Sequence, residues 1–201
     1  MLYPEHDFLD RFDAAAADGF RGVEYIGPYD YPAEVIAERL RRLGLEQVLF
    51  NSPTGDWAAG DRGMACVPGR QAEFAAGIER AIAYAQALDC KQVHVMAGVL
   101  PVDVEPEMAA SVLVGNLSHA AERLGRHGIV ALIEPINAVD MPGYALGTLA
   151  AAEAIMACKC PLSALPVLTY QCTLRSGSRQ RAFSSHADQH LGRSGAKHEH
   201  R

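Results

Sequence analysis

The stretch IVALIEPIN, residues 129–137, joins a buried strand to a carboxylate. Its five apolar residues, Ile129 to Ile133, predict a strand that is buried on both faces. The run ends in Glu134, and Pro135 then disfavours a helical conformation at that glutamate. A buried carboxylate is costly unless it is paired or binds a metal, so Glu134 is the first candidate functional residue.

The same arrangement recurs through the first 157 residues. A short β-rich run follows a glycine or its equivalent in four places: GFRGVEYI from Gly19, GLEQVLFN from Gly44, DCKQVHVM from Asp89 and GIVALIEP from Gly128. Glycine commonly ends a helix because it adopts the left-handed conformation without a steric penalty. Between the runs, apolar residues at helical spacing predict helices at 5–18, 32–43, 71–88, 106–126 and about 146–157.

Strands that alternate with helices are typical of an α/β protein with a parallel sheet. A (β/α)8 barrel and an open doubly wound sheet both satisfy the pattern. A polar residue near the end of each strand (Glu24, Asn51, His94 and Glu134) favours the barrel, because these strand ends meet on the face that holds the active site. No glycine-rich phosphate-binding loop follows any of the strands.

Each of these polar residues also has a structural interpretation. His94 could be a core histidine satisfied by a backbone carbonyl, and Asn51 could cap the turn that follows it. Glu24 could be half-exposed on an edge strand, and Trp57 in the next loop could pack or form the wall of a pocket. Glu134 is the hardest to explain in this way, because the rest of its strand is apolar.

The bulk composition excludes several classes of protein. The 201 residues are 49% apolar and 21% charged, as in an ordinary globular protein with one sizeable core. No apolar run reaches the roughly 18 residues of a membrane span and no leader opens the chain, which predicts a cytoplasmic protein. Five cysteines without disulfide or zinc spacing predict free thiols, and a net charge of −6 argues against nucleic-acid binding.

The composition changes near residue 158. Residues 159–201 hold seven basic and two acidic residues, whereas residues 1–158 hold eleven basic and 22 acidic ones. The sequence after Leu174 has no apolar periodicity. We therefore expect two parts, an incomplete barrel domain at 1–157 and an unpatterned, disordered basic tail at 158–201. A frameshift near codon 158, with a late start codon, is the simplest explanation; a genuine basic tail is the alternative.

The first part also contains five distinctive segments: PYDYPAE (28–34), LFNSPTGDWAAGDRG (49–63), VHVMAG (93–98), LIEPIN (132–137) and MPGY (141–144). Together they resemble the hydroxypyruvate isomerase family, within the xylose-isomerase-like group of TIM barrels. The resemblance runs from about residue 2 to about residue 157. It implies a partial (β/α)8 barrel of four to five strand–helix units.

The resemblance also implies a reaction, the isomerisation of hydroxypyruvate to tartronate semialdehyde through an enediolate. Glu134 would match the first of two catalytic glutamates, and also the first acidic ligand of a divalent metal, magnesium or manganese. The substrate, a short sugar acid, would be bound by the remaining polar residues of the motifs: Glu24, Asn51, His94 and Asn137.

The sequence departs from the family after residue 157. LPVLTY (165–170) predicts one β-like run, but the family's Asp–His strand and second catalytic glutamate have no counterpart. This predicts a chain that is inactive by itself and that self-associates through open sheet edges. Two alternatives remain: a metal-dependent ketose epimerase or other sugar isomerase of the same group, and a non-catalytic fragment.

Overall fold

The computed structural model describes residues 3–157 and the strand at 168–170. Helices and strands alternate along the chain. In order, they are α1 (Asp10–Ala17), β1 (Gly22–Tyr25), α2 (Ala33–Leu43), β2 (Glu46–Asn51), α3 (Gln71–Ala87), β3 (Gln92–His94), α4 (Pro106–Gly125), β4 (Val130–Ile133), α5 (Leu149–Ala157) and β5 (Leu168–Tyr170). Every helix and strand predicted from the repeat is present.

The five strands form one parallel sheet in the order β1-β2-β3-β4-β5. This strictly sequential order is that of a barrel, since an open doubly wound sheet reverses its strand order at a switch point. The prediction of a partial TIM barrel is therefore confirmed. Within the predicted LPVLTY run, β5 pairs with β4. The predicted disordered tail otherwise lies outside the described residues.

Left-handed backbone conformations end the helices where the repeat predicts them. Gly19, Gly44 and Gly128 have φ values of +84°, +65° and +68°. Asp89, which takes the place of glycine in the third repeat, has a φ of +53°. Aspartate tolerates this conformation better than most residues because its short polar side chain can bond locally.

The main core lies between the sheet and the helices. Phe50, Val93 and Ile133, one from each of three neighbouring strands, are fully buried against helical residues such as Ile78 and Leu117. In a strand, successive side chains point to opposite faces. The alternate residues therefore face the inside of the partial barrel, and Asn51, His94 and Leu132 occupy one row of it by register.

Two close backbone approaches hold the loops above the sheet. Gly63 forms a bridge with Ala97, and Val99 forms one with Tyr144. A Cβ at Gly63 would lie 2.4 Å from the Met96 carbonyl oxygen, so only glycine fits there. No helix within the described ranges is long and apolar enough to cross a membrane.

Candidate active site

A cavity of about 850 Å³ opens at the carboxyl ends of the strands. The four polar residues predicted to meet there, together with Trp57, all line it: Glu24, Asn51, Trp57, His94 and Glu134. The cavity continues past the edge strand β1 to helix α1. Its position at the carboxyl ends is the position of the active site in TIM barrels.

Glu134 follows β4 directly, on the cavity side of the sheet. Its side chain is 24% exposed, and its Oε2 lies 3.9 Å from Nδ1 of His94. The carboxyl group is thus largely withdrawn from water but reaches the cavity. This placement agrees with the predicted general base, while the chemical role itself stays a prediction.

His94, at the end of β3, is 3% exposed, and its Nδ1 lies 3.2 Å from Oδ1 of Asn51. Burial lowers the pKa of the imidazole to about 4, so the ring is neutral near pH 7. No partner for its Nε2 exists among the described residues. The ring is therefore not a core histidine satisfied by a backbone carbonyl.

Asn51 ends β2, and its backbone is held from both sides. Its N–H donates to the carbonyl of Ile26, and its own carbonyl accepts a hydrogen bond from the Tyr29 hydroxyl at 2.8 Å. Its side-chain Oδ1 contacts the imidazole of His94. Asn51 therefore connects strand β2 to the histidine of strand β3.

Glu24 and Asn137 are placed differently from these three residues. Glu24 lies on the edge strand β1 and is exposed, but it lines the cavity. Asn137 is exposed and not among the cavity-lining residues. Its Oδ1 accepts hydrogen bonds from the N–H groups of Val139 and Asp140, as in an Asx turn. Its role in substrate binding stays a prediction.

The loop after β2 forms one wall of the cavity. Trp57 reaches the cavity from this loop, and the Arg62 guanidinium lies 3.9 Å from the centre of its ring. Asp61 anchors the loop by an ion pair of 2.8 Å with Arg70, the residue just before helix α3. Trp57 is thus a wall residue held by its neighbours, as one of its two sequence interpretations proposed.

Sequence reasoning missed the role of Tyr144 near the site. Its hydroxyl oxygen accepts a hydrogen bond from the Ala97 N–H at 2.8 Å. Burial raises the pKa of the Tyr144 phenol well above its usual value, and the negative charge of Glu134 adds to this effect. The phenol therefore stays protonated and buried beside the acid. The only sequence signal was its place in the MPGY motif.

The described residues do not by themselves make a divalent-metal site. Among them, no group of three histidine, cysteine, aspartate or glutamate side chains could hold a metal ion. Magnesium and manganese prefer several oxygen ligands, and here Glu134 supplies one carboxylate. No step of the chemistry below is therefore assigned to a metal.

The fold and this site define a class of protein, the xylose isomerase-like TIM barrels. The sequence profile of that family matches residues 12–157. The chain therefore belongs to the xylose isomerase-like TIM barrel family.

Two curated relatives share about half of their aligned residues with this chain. The 2-oxo-tetronate isomerase of Cupriavidus necator is 50% identical over 146 residues, 73% of this chain and 56% of the relative. The hydroxypyruvate isomerase of Escherichia coli is 49% identical over 146 residues, 73% of this chain and 57% of the relative. The chain thus spans little more than half the length of these relatives.

Solved structures agree with the fold. A crystal structure of an AP endonuclease, family 2, from Brucella melitensis superposes with a TM-score of 0.75 at 40% identity, covering 84% of this chain and 64% of the other. A D-psicose 3-epimerase structure superposes with a TM-score of 0.64 at 16% identity, covering 83% of this chain and 58% of the other. The second comparison supports the fold alone.

Proposed function

We propose that this chain carries part of the active site of an isomerase for short 2-oxo acids, with hydroxypyruvate as substrate and tartronate semialdehyde as product. The observation that carries the proposal is the meeting of Glu134, His94 and Asn51 in one cavity at the carboxyl ends of the strands. The names of the two relatives at 49–50% identity support the same class of reaction.

In the proposed reaction Glu134 is the general base. It removes a proton from carbon 3 of hydroxypyruvate, and the electron pair forms an enediolate with the carbon 2 carbonyl. The carbon 3 hydroxyl then gives up its proton, the carbon 2 oxygen takes one up, and a second acid delivers a proton to carbon 2, which leaves the aldehyde at carbon 3, so that atoms and electrons balance. A carboxylate suits the first step because it lies partly out of water beside the substrate space.

The developing oxyanion needs hydrogen-bond donors. The Asn51 side chain uses Oδ1 as acceptor for His94, which leaves its NH₂ group as a donor. Amide donors of this kind stabilise oxyanions most strongly where water is excluded. We assign this role to Asn51, and we assign Glu24, whose side chain lines the cavity, to the binding of substrate hydroxyl groups.

The 201-residue chain alone is proposed to be inactive. Glu134 supplies one carboxylate, and the exposed Glu24 is the second glutamate that lines the cavity. A cavity open to water weakens oxyanion stabilisation, and proton transfer requires groups within hydrogen-bond reach of both carbons. Self-association through the edges of the sheet belongs to the same proposal.

Loss of hydroxypyruvate, followed with the purified chain, tests this proposal. With or without magnesium or manganese, the rate should equal that of buffer. A rate above buffer that Glu134→Gln abolishes would overturn the proposed inactivity and support the proposed base. A rate above buffer that this variant leaves unchanged would contradict the role of Glu134. Manganese titration of both proteins tests whether Glu134 binds a metal.

The ketose epimerase alternative has weaker support. The D-psicose 3-epimerase and L-ribulose 3-epimerase structures share 16% and 19% identity with this chain, which supports a common fold alone. The relatives at 49–50% identity are named for 2-oxo acids. We therefore assign the site to an anionic 2-oxo acid.

A further inference from the structure

Two polar side chains from the ends of neighbouring strands lie close to Nδ1 of His94. Nδ1 of His94 lies 3.2 Å from Oδ1 of Asn51 and 3.9 Å from Oε2 of Glu134. The first distance is within hydrogen-bond reach and the second is just beyond it. The two neighbouring atoms are both oxygens that accept hydrogen bonds.

This arrangement determines where the single ring proton of the neutral imidazole lies. With the proton on Nδ1, the ring donates a hydrogen bond to Oδ1 of Asn51. The partial positive charge of the same N–H then faces the Glu134 carboxylate. With the proton on Nε2, the Nδ1 lone pair would face the carboxylate, and a buried N–H would have no acceptor among the described residues. An unpaired buried N–H is the more costly of the two, so the Nδ1–H tautomer is favoured.

We propose that Asn51 and His94 form a positioning pair for the Glu134 carboxylate. Asn51 holds the imidazole in the Nδ1–H tautomer, and the same N–H directs Oε2 of Glu134 toward the ring. His94 acts through Glu134 and needs no contact with substrate. This inference rests on the proposed function, because the pair supplies the orientation that Glu134 requires as a general base. Its test requires no turnover.

The tautomer is measured directly on the wild-type chain. Nitrogen-15 NMR of the histidine rings at pH 7.5 distinguishes a protonated ring nitrogen from an unprotonated one. For His94, assigned by its loss in a His94→Asn variant, we expect protonated Nδ1 and unprotonated Nε2. The reverse pattern, or a doubly protonated ring, would overturn the proposal.

A pair of variants then tests the effect on Glu134. An asparagine at position 94 places an N–H close to the position of Nδ1, whereas a glutamine places it close to that of Nε2. The carboxyl carbon-13 signal of Glu134, assigned by its loss in Glu134→Gln, should stay near its wild-type position in His94→Asn and shift in His94→Gln. Equal shifts in the two variants, or none in either, would contradict the positioning role.

A matched control removes a buried amide elsewhere. Asn116 in α4 is buried and donates to the Ala65 carbonyl. Asn116→Leu should leave the Glu134 signal and the His94 tautomer unchanged, whereas Asn51→Leu should shift both the His94 Nδ1 and the Glu134 signals. If either substitution at position 94 prevents folding, through-bond correlation from the backbone assigns the His94 ring instead, and the wild-type tautomer still decides the proposal. A chain that shows the predicted signals but whose cavity binds no 2-oxo acid would refute the proposed function and leave the pair established.

Discussion

Glu134 follows a buried strand and carries a partly exposed acid. The residues before it in β4 are almost all buried, yet its own side chain keeps 24% exposure at the cavity. Charged side chains are rarely placed at such positions for stability alone. The location of Glu134 at the end of a strand in a TIM barrel agrees with a functional acid.

The first prediction concerns this acid in a full-length relative. At the glutamate that corresponds to Glu134, replacement by glutamine should lower kcat by roughly 10²–10⁴-fold, since the amide is nearly isosteric but cannot accept the proton. Circular dichroism should show an unchanged fold. Activity within a few-fold of the parent would mean that this glutamate is structural.

The second prediction concerns the pH dependence of stability through His94. Its pKa is about 4 in the folded protein, lowered by burial, against roughly 6.5 in an unfolded chain. Well above pH 6.5 both states are neutral and the group contributes nothing. As the pH falls below that value, the unfolded state binds a proton first, so the free energy of unfolding decreases until pH 4 is reached.

Urea denaturation at pH 7.5 and at pH 5.0 measures this effect. Between these values, wild type should lose about 2 kcal/mol more of its free energy of unfolding than His94→Asn, which lacks the titrating ring. The comparison removes the effects of the other histidines, which both proteins contain. Equal losses in the two proteins would show that His94 is not a buried neutral group.

Contacts at the residue scale were only partly predictable from the sequence. The repeat placed Glu24, Asn51, His94 and Glu134 on one face because parallel strand ends coincide. The bond between Asn51 and His94 joins residues 43 positions apart and depends on strand register, which periodicity does not give. Asn137 was grouped with them by its motif, but the turn that follows the strand places it outside the cavity-lining residues.

At the scale of elements, predicted and observed boundaries differ where loops carry apolar residues. Helix α5 was expected from about residue 146, yet it begins at Leu149. Leu146 is buried in the preceding loop, where its carbonyl accepts a hydrogen bond from Ile136. Thr148 then caps the helix through a bond from the Ala151 N–H to its hydroxyl. The apolar spacing therefore extended the predicted helix to Leu146, although tertiary contacts of the loop explain the burial of this residue.

The third prediction concerns the loop that carries Trp57. Gly63 has a φ of +113°, and a Cβ there would lie 2.4 Å from a backbone oxygen. Gly63→Ala should lower the free energy of unfolding by about 2 kcal/mol or more. Urea denaturation measures the loss, and the fluorescence of Trp57, the single tryptophan of the chain, reports the displaced loop.

Gly60 provides the matched control for this substitution. Its φ is +104°, but a Cβ there would meet nothing within 4 Å. Gly60→Ala shares the backbone strain without the close approach, so it should destabilise the protein less than Gly63→Ala does. Equal losses would mean that backbone conformation alone explains the requirement for glycine at position 63.

At the scale of the whole molecule, the fourth prediction concerns the edge of the sheet. β1 lies at one edge of the sheet in the described part of the chain, with the exposed side chain of Phe20 just before it. Exposed apolar strand edges promote association. Sedimentation velocity should show concentration-dependent association that Phe20→Lys decreases.

Val102 supplies the control for this change. It is 99% exposed in the loop before α4, outside the strands of the sheet. Val102→Lys adds the same charge at an exposed apolar position outside the sheet and should leave the association unchanged. A decrease as large as that caused by Phe20→Lys would point to net charge and not to the sheet edge.

The most direct measurement of the central claim is a ligand titration of the nitrogen-15 labelled chain. Hydroxypyruvate should shift the backbone signals of Asn51, His94 and Glu134 together, whereas D-psicose, a neutral ketose, should not. Glu134→Gln should weaken the response to hydroxypyruvate. Shifts confined to residues outside the cavity, or a stronger response to the neutral ketose, would contradict the assignment of this site to a 2-oxo acid.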